Sequence, residues 1–197
     1  LFWRYDPIFI SDKYSVEYHI RAFEKMSSLL GGYVNSCIIS FIDLYEKTKR
    51  NFPECKEVTP DERLTLGKAF AEIGQKYNIP IKSCCEGKDL TQFGINVAGC
   101  MTKDIVEDAL GCHFVFPKNV VPVRKECNCI MGHDIGMYNS CPHECLYCYA
   151  NYDNALVQKN FRLHNPASPF LIGESLPSDV VRDAEQTSFL DKQMRLF

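Results

Sequence analysis

The sequence predicts an α/β fold: a partial (β/α) barrel of parallel strands, about half a barrel, followed by an irregular cysteine-rich C-terminal region. Three observations predict it. Strand and helix patterns alternate three times within residues 1–113, which calls for a parallel sheet with helices outside. The run CIISFI at residues 37–42 is almost continuously apolar, as in a strand covered on both faces. Beyond Phe114 the periodicity stops and cysteines take over. The expected division is therefore 1–113 for the βα repeats, 114–164 for the cysteine-rich region and 165–197 for an extended tail.

The elements follow in order. Residues 1–10 (LFWRYDPIFI) read as a strand that Pro7 either ends or confines to an edge. Arg4 and Asp6, two apart, share one side of it. Ser15 caps a helix that buries Val16, Ile20, Phe23 and Leu30 and stops at Gly31 and Gly32. The strand at 37–42 comes next, with Asp43 at its C-terminal end. After a loop at 51–58, Thr59-Pro60-Asp61-Glu62 forms a capping box with proline at the first helical position. Leu66, Phe70, Ile73 and Tyr77 follow at helical spacing. Gly67 and Gly74 each cost this helix about 1 kcal/mol against alanine, so it must rely on packing. A third strand at 79–85 ends in Cys84-Cys85-Glu86, and a short helix spans 104–110. A last helix is expected within 151–163, before Pro166, Pro169 and Pro177 extend the chain.

Bulk composition narrows the function. A chain of 197 residues can bury one substantial core. A net charge of -3 offers no overall attraction to nucleic acid or an anionic membrane. No apolar run approaches the roughly 20 residues of a membrane span. Eleven cysteines without a leader suggest a reducing, cytoplasmic setting and metal rather than disulfides, and an odd number cannot all pair within the chain. Leu1 opens inside a strand pattern, so the chain reads as a fragment lacking an N-terminal part, one expected to be inactive alone.

The chemistry concentrates at residues 141–151, CPHECLYCYAN. Cys141, Cys145 and Cys148 stand at Cys-x3-Cys-x2-Cys spacing with no fourth cysteine behind them. A structural zinc site needs four protein ligands, and an ordinary cubane takes four thiolates. Three thiolates would hold three irons of a [4Fe–4S] cluster and leave one iron open. The alternative is a zinc knuckle completed by His143 or a distant cysteine. A second group, Cys84, Cys100, Cys127 and Cys129, suits a second [4Fe–4S] cluster or a zinc ion, with Cys85 as substitute for Cys84. Cys37, Cys55 and Cys112 read as core or incidental thiols. Arg4, Asp6, Asp43 and Glu86 either line a pocket at the strand ends, as catalytic candidates, or tie those ends together through ion pairs of Arg4 with Asp6 or Glu86. At the terminus, Gln193, Met194, Leu196 and Phe197 could anchor an extended peptide in a partner's pocket.

The loop spacing, with aromatic Tyr147 just before the last cysteine, resembles the signature of the radical S-adenosylmethionine (SAM) enzymes. The resemblance implies a cluster on Cys141, Cys145 and Cys148, with SAM chelated on the open iron. It implies Tyr147 and Asn151 as cofactor-binding residues, with Tyr147 near the adenine, and reductive cleavage of SAM to a 5′-deoxyadenosyl radical. The partner implied is a small electron donor of flavodoxin or ferredoxin type. In most of those enzymes the loop follows the first barrel strand, whereas here it follows the βα units. The CLYCY segment also resembles the loop of spore photoproduct lyases, which repair DNA, and the terminal QMRLF resembles sliding-clamp-binding peptides. Across the chain, WRYDPI, SFIDLYEK, CCE, CNC, DIGMYNSCPHECLYCYANY and SPFLIGE resemble an uncharacterised bacterial family of domains of unknown function with a C-terminal radical-SAM-like cysteine cluster. The chain looks like the C-terminal two-thirds of that family, whose N-terminal segment would supply the remaining strands and a glycine-rich contact to SAM. The expected activity is thus that of a radical SAM-like enzyme on an unknown substrate. The rivals are a non-catalytic zinc or iron–sulfur module and a clamp-recruited DNA-repair enzyme.

Overall fold

The computed structural model describes residues 1–117, 129–130, 136–183 and 187–192. Cys127, His133, Asp134 and the terminal peptide at 193–197 lie outside the described residues. The chain divides into two compact units, one of Leu1–Asp43, Glu54–Gly132 and Phe189–Phe197, the other of Leu44–Pro53 and His133–Ser188.

The first unit carries the βα repeats. Strand β1 (Phe2–Ile8) leads to helix α1 (Val16–Leu30), and strand β2 (Ser36–Phe41) follows. Helix α3 (Pro60–Lys76), strand β3 (Ile81–Ser83), a 3-10 turn (Asp89–Phe93) and helix α4 (Lys103–Leu110) complete it. The short helix α2 (Glu46–Asn51) precedes α3 in the chain and belongs to the second unit. The three strands pair in parallel in the order β1-β2-β3, so the α/β class and parallel sheet are as expected. The sheet is open, and three strands do not establish a barrel. A parallel bridge from Lys82 to Asn96 extends its β3 edge by a further segment, with Ser83 N–H donating to Asn96 O at 2.8 Å.

Register separates the two faces. Trp3 lies beside Cys37 and Cys37 beside Ile81, while Tyr5 lies beside Ile39 and Ile39 beside Ser83. This face packs against the helices: Trp3 stacks on Phe23 of α1, and Phe23 stacks on Phe70 of α3 at 4.0 Å. Side chains alternate across a strand, so Arg4, Asp6, Ile38, Ser40 and Lys82 occupy the opposite face. That second face leads to the first site.

Local signals explain the helices. Ser15 accepts the Tyr18 N–H, and Thr59 and Glu62 make both halves of the capping box. The glycines of α3 are close-approach positions: a Cβ on Gly74 would stand 2.6 Å from Ile79 O and 2.8 Å from Ile81 Cδ1. Their propensity cost is thus offset by letting α3 lie directly on β3. Asp6–Pro7 is a cis peptide in β1, where the β1–β2 register shifts. Cys37 and Cys55 are buried thiols, and burial pushes Cys37 up to about 12, as suits core cysteines. His19 is a buried histidine bonded to Tyr5 Oη at 2.9 Å and Phe9 O at 2.7 Å. Among the described residues, no helix is long and apolar enough to cross a membrane.

In the second unit, helix α5 (Asn154–Arg162) is capped by Asp153, which accepts the Leu156 N–H at 2.9 Å. It falls within the expected span of 151–163.

Candidate metal centres

The first centre forms where the sheet edge ends. Cys84 follows β3 directly, and its N–H donates to Ile39 O at 3.2 Å. Cys100 lies four residues past Asn96, the residue that bridges to β3. Ile130 N–H donates to Met101 O at 3.0 Å, which lays Cys129 alongside Cys100. The Sγ atoms of Cys84 and Cys100 are 3.5 Å apart and those of Cys100 and Cys129 3.6 Å, with all three within 4.8 Å of one another. All three cysteines are half-buried. Cys85 Sγ lies 3.8 Å from Cys84, at a residue with φ 59°, and falls outside that close group. Of the four cysteines expected at the second site, the structure brings three together, and Cys127 lies outside the described residues.

Two groups favour charge on these sulfurs. Met101 N–H donates to Cys129 Sγ at 3.4 Å, and the positive charge of Arg4 lies near enough to Cys100 to favour its thiolate. The bond from Cys84, reinforced by Arg4, holds the Cys100 thiol down to about 5, and that same bond together with burial pushes Cys84 well above the ordinary thiol range. Burial opposes the charge on Arg4, but its bond to Asp6 and the nearness of Cys100 more than offset this and raise its pKa.

The charged candidates separate. Arg4 pairs with Asp6, which also accepts from Ser40 Oγ at 3.4 Å. Glu86 does not pair with Arg4. Its Oε1 accepts the Phe41 N–H at 2.7 Å, and its Oε2 pairs with Arg63 of α3 at 3.2 Å. Arg63 also donates to Glu86 O at 2.7 Å and lies over the Phe41 ring. Glu86 therefore braces the Cys84-Cys85-Glu86 turn against β2 and α3. Asp43 is exposed just beyond β2. Arg63 was not singled out by sequence, since its partner is 23 residues away.

The second centre is the loop bearing Cys141, Cys145 and Cys148. Cys141 and Cys145 are exposed and Cys148 is half-buried. Cys148 N–H donates to Cys145 O at 2.9 Å, turning the loop between its last two cysteines. Two asparagines hold its ends. Asn151 is buried and its Nδ2 donates to Cys141 O. Asn139 is almost fully buried: its Oδ1 accepts from Tyr152 N at 2.8 Å and Asp153 N at 3.1 Å, and its O accepts from Asn160 Nδ2 at 3.0 Å. Asn151, expected to contact cofactor, thus spends its amide donor on the loop backbone. Tyr147 is partly exposed.

A cavity of about 330 Å³ opens beside Cys145, lined by Lys47, Asn51, Glu144, Leu146, Asn151 and Asn154. A neighbouring cavity shares Lys47, Asn51, Asn151 and Asn154 and adds Arg50. The wall from α2 was not foreseen. Its sequence, EKTKRN, lacks apolar periodicity, and no side chain caps it. Asn139 was also missed as a structural residue; two asparagines bracketing the cysteines were the available signal.

A family model described as a domain of unknown function, DUF1848, matches residues 1–150. The chain belongs to the DUF1848 family. Both cysteine groups fall within the matched residues, so each is part of the DUF1848 domain here. No curated protein and no solved structure matches the chain.

Proposed function

We propose that this DUF1848 chain is a radical-SAM-like iron–sulfur protein of the cytoplasm, with Cys141, Cys145 and Cys148 holding a [4Fe–4S] cluster and SAM on its open iron. The observation that carries this reading is the donor set: three thiols in one asparagine-braced loop with no fourth cysteine in it. The exposure of Cys141 and Cys145 leaves those thiols accessible to iron. Bound there, cluster and SAM together would supply an electron and then a 5′-deoxyadenosyl radical for hydrogen abstraction.

The chain's own residues have separate tasks. Lys47 and Arg50 offer positive charge to a carboxylate, and the amides of Asn51 and Asn154 offer donors and acceptors to its neighbours. Tyr147 offers a flat face to adenine. Asn139 and Asn151 keep the three thiols in one loop. A flavodoxin- or ferredoxin-type protein would deliver the electron. Glu86 is better explained as a brace than as a catalytic group.

Anaerobic reconstitution of the chain with iron and sulfide tests this reading. A cubane absorption spectrum that changes on adding SAM, and that is lost in Cys141→Ser, Cys145→Ser and Cys148→Ser, is expected. A cluster that forms equally well without those three cysteines would contradict it. The second reading, a non-catalytic metal-binding module, is favoured by the close Cys84, Cys100 and Cys129 group. It predicts metal uptake without any response to SAM. Clamp recruitment through Gln193, Met194, Leu196 and Phe197 is a separate proposal, tested by whether deleting residues 193–197 abolishes clamp binding.

A further inference from the structure

The geometry points to a single zinc-type ion, not a cubane, at Cys84, Cys100 and Cys129, a site independent of whatever the 141–148 loop binds. The sulfur spacing makes the choice. A Zn–S bond of about 2.3 Å gives a tetrahedral edge, roughly 1.6 bond lengths, of about 3.8 Å. The separations of 3.5 and 3.6 Å lie close to that edge, and the third pair also falls within 4.8 Å. In a cubane each thiolate sits on its own iron, so neighbouring sulfurs stand apart by an iron–iron edge plus the outward splay of two Fe–S bonds. Three sulfurs this close fit one ion.

Two further observations separate this site from three thiols that merely pack together. The three come from different segments, the end of β3, the stretch beyond the Asn96 bridge, and residue 129, so one ion would pin all three together. The groups facing them favour negative sulfur: Met101 N–H donates to Cys129, and the guanidinium of Arg4 lies near Cys100. Three thiolates on a divalent cation carry one net negative charge, and Arg4 supplies the compensating positive one. Arg4 is itself oriented by Asp6, a carboxylate behind a ligand-contacting group, as is common around thiolate and imidazole sites. Three thiolates at tetrahedral spacing, with the fourth position left to a further ligand such as water, select zinc among divalent ions.

The test uses the chain with its loop cysteines replaced, Cys141→Ser/Cys145→Ser/Cys148→Ser, so that only this centre is read. The probes are zinc stoichiometry on purification and the absorption spectrum after cobalt exchange. One equivalent of zinc and a tetrahedral, thiolate-rich cobalt spectrum are expected. Cys84→Ser, Cys100→Ser and Cys129→Ser should each abolish both signals. Cys85→Ser should keep them, because its sulfur lies outside the close group, and Arg4→Gln should weaken zinc about 10-fold. Absence of metal in this triple variant, or iron with acid-labile sulfide in place of zinc, would overturn the inference. If the single serine variants fail to fold, the number of sulfur ligands on cobalt in the parent still decides the point: three are expected, and fewer would contradict the inference. Zinc that is absent here but present with the loop intact would place the zinc in the loop, sinking the inference and counting separately against the cluster reading.

Discussion

Asn139 lets the architecture of the cysteine loop be tested residue by residue. Its side-chain oxygen accepts two backbone N–H groups, from Tyr152 and Asp153, and its own φ is 56°, a left-handed conformation that asparagine tolerates better than most residues. Asn139→Ala removes both bonds, about 1 kcal/mol each, so about 2 kcal/mol in all. It also puts a Cβ without a local hydrogen bond at positive φ, which costs a further 1 kcal/mol or so. The expected loss is about 3 kcal/mol. Asn139→Gly should recover the backbone part and lose about 2 kcal/mol. Asn139→Asp keeps an acceptor in the same place and should lose under about 1 kcal/mol. Trp3, the chain's one tryptophan, lies in the other unit, so its fluorescence would not report the change. Native-state hydrogen exchange at the amides of Tyr152 and Asp153 is the right assay, and alanine should accelerate it about 100-fold. The order alanine, glycine, aspartate is the signature. Equal effects for all three, or none for alanine, would refute the assigned role of Asn139.

Other consequences follow from the first unit. Glu86→Ala leaves Arg63 and the Phe41 N–H without their buried partner and should cost about 3 kcal/mol or more in chemical denaturation; a loss under 1 kcal/mol would restore Glu86 as a candidate for catalysis rather than bracing. Gly74→Ala gains helix propensity but drives a Cβ into Ile79 O and Ile81, so a net loss of at least about 1 kcal/mol is expected, and a stabilised variant would contradict the close contact of α3 on β3. Burial lowers the pKa of His19, so below about 6.5 the unfolded chain binds the proton first and stability should fall as pH drops towards the folded value. His19→Gln should flatten that slope in denaturation curves recorded between pH 7 and about 5.

Much of the scaffold was legible because its signals are local. The Ser15 cap, the capping box at Thr59 and the apolar run of β2 each specify an element within a few residues, and all three elements form. The glycines of α3 could be recognised as a cost but not as contacts, since Leu90 and Ile81, which they meet, lie on other elements. Helix α2 left no pattern because it is polar throughout and uncapped by any side chain. The half-barrel was an extrapolation from repeat count, which fixes strand polarity but not whether the sheet curves into a barrel; among the described residues the sheet has three strands and is open. At the sites, residue types pointed to metal in both cysteine groups. Cys84, Cys100 and Cys129 were grouped from residue type alone; the Lys82–Asn96 bridge that helps bring them together is a pairing that no periodicity announces. Arg4 and Asp6 were read as sharing one side of a strand, and they pair there, but that Arg4 also comes near Cys100 shows only once β1 and the sheet edge are brought together.

The central claim, that the loop at 141–148 holds a cluster with one iron left for SAM, is tested most directly by spectroscopy of the reduced, reconstituted chain before and after SAM is added. The account predicts a [4Fe–4S] paramagnetic signal that shifts on adding SAM and is lost in Cys145→Ser, while zinc at Cys84, Cys100 and Cys129 is retained. A cluster signal indifferent to SAM, or one that survives Cys145→Ser, would contradict it.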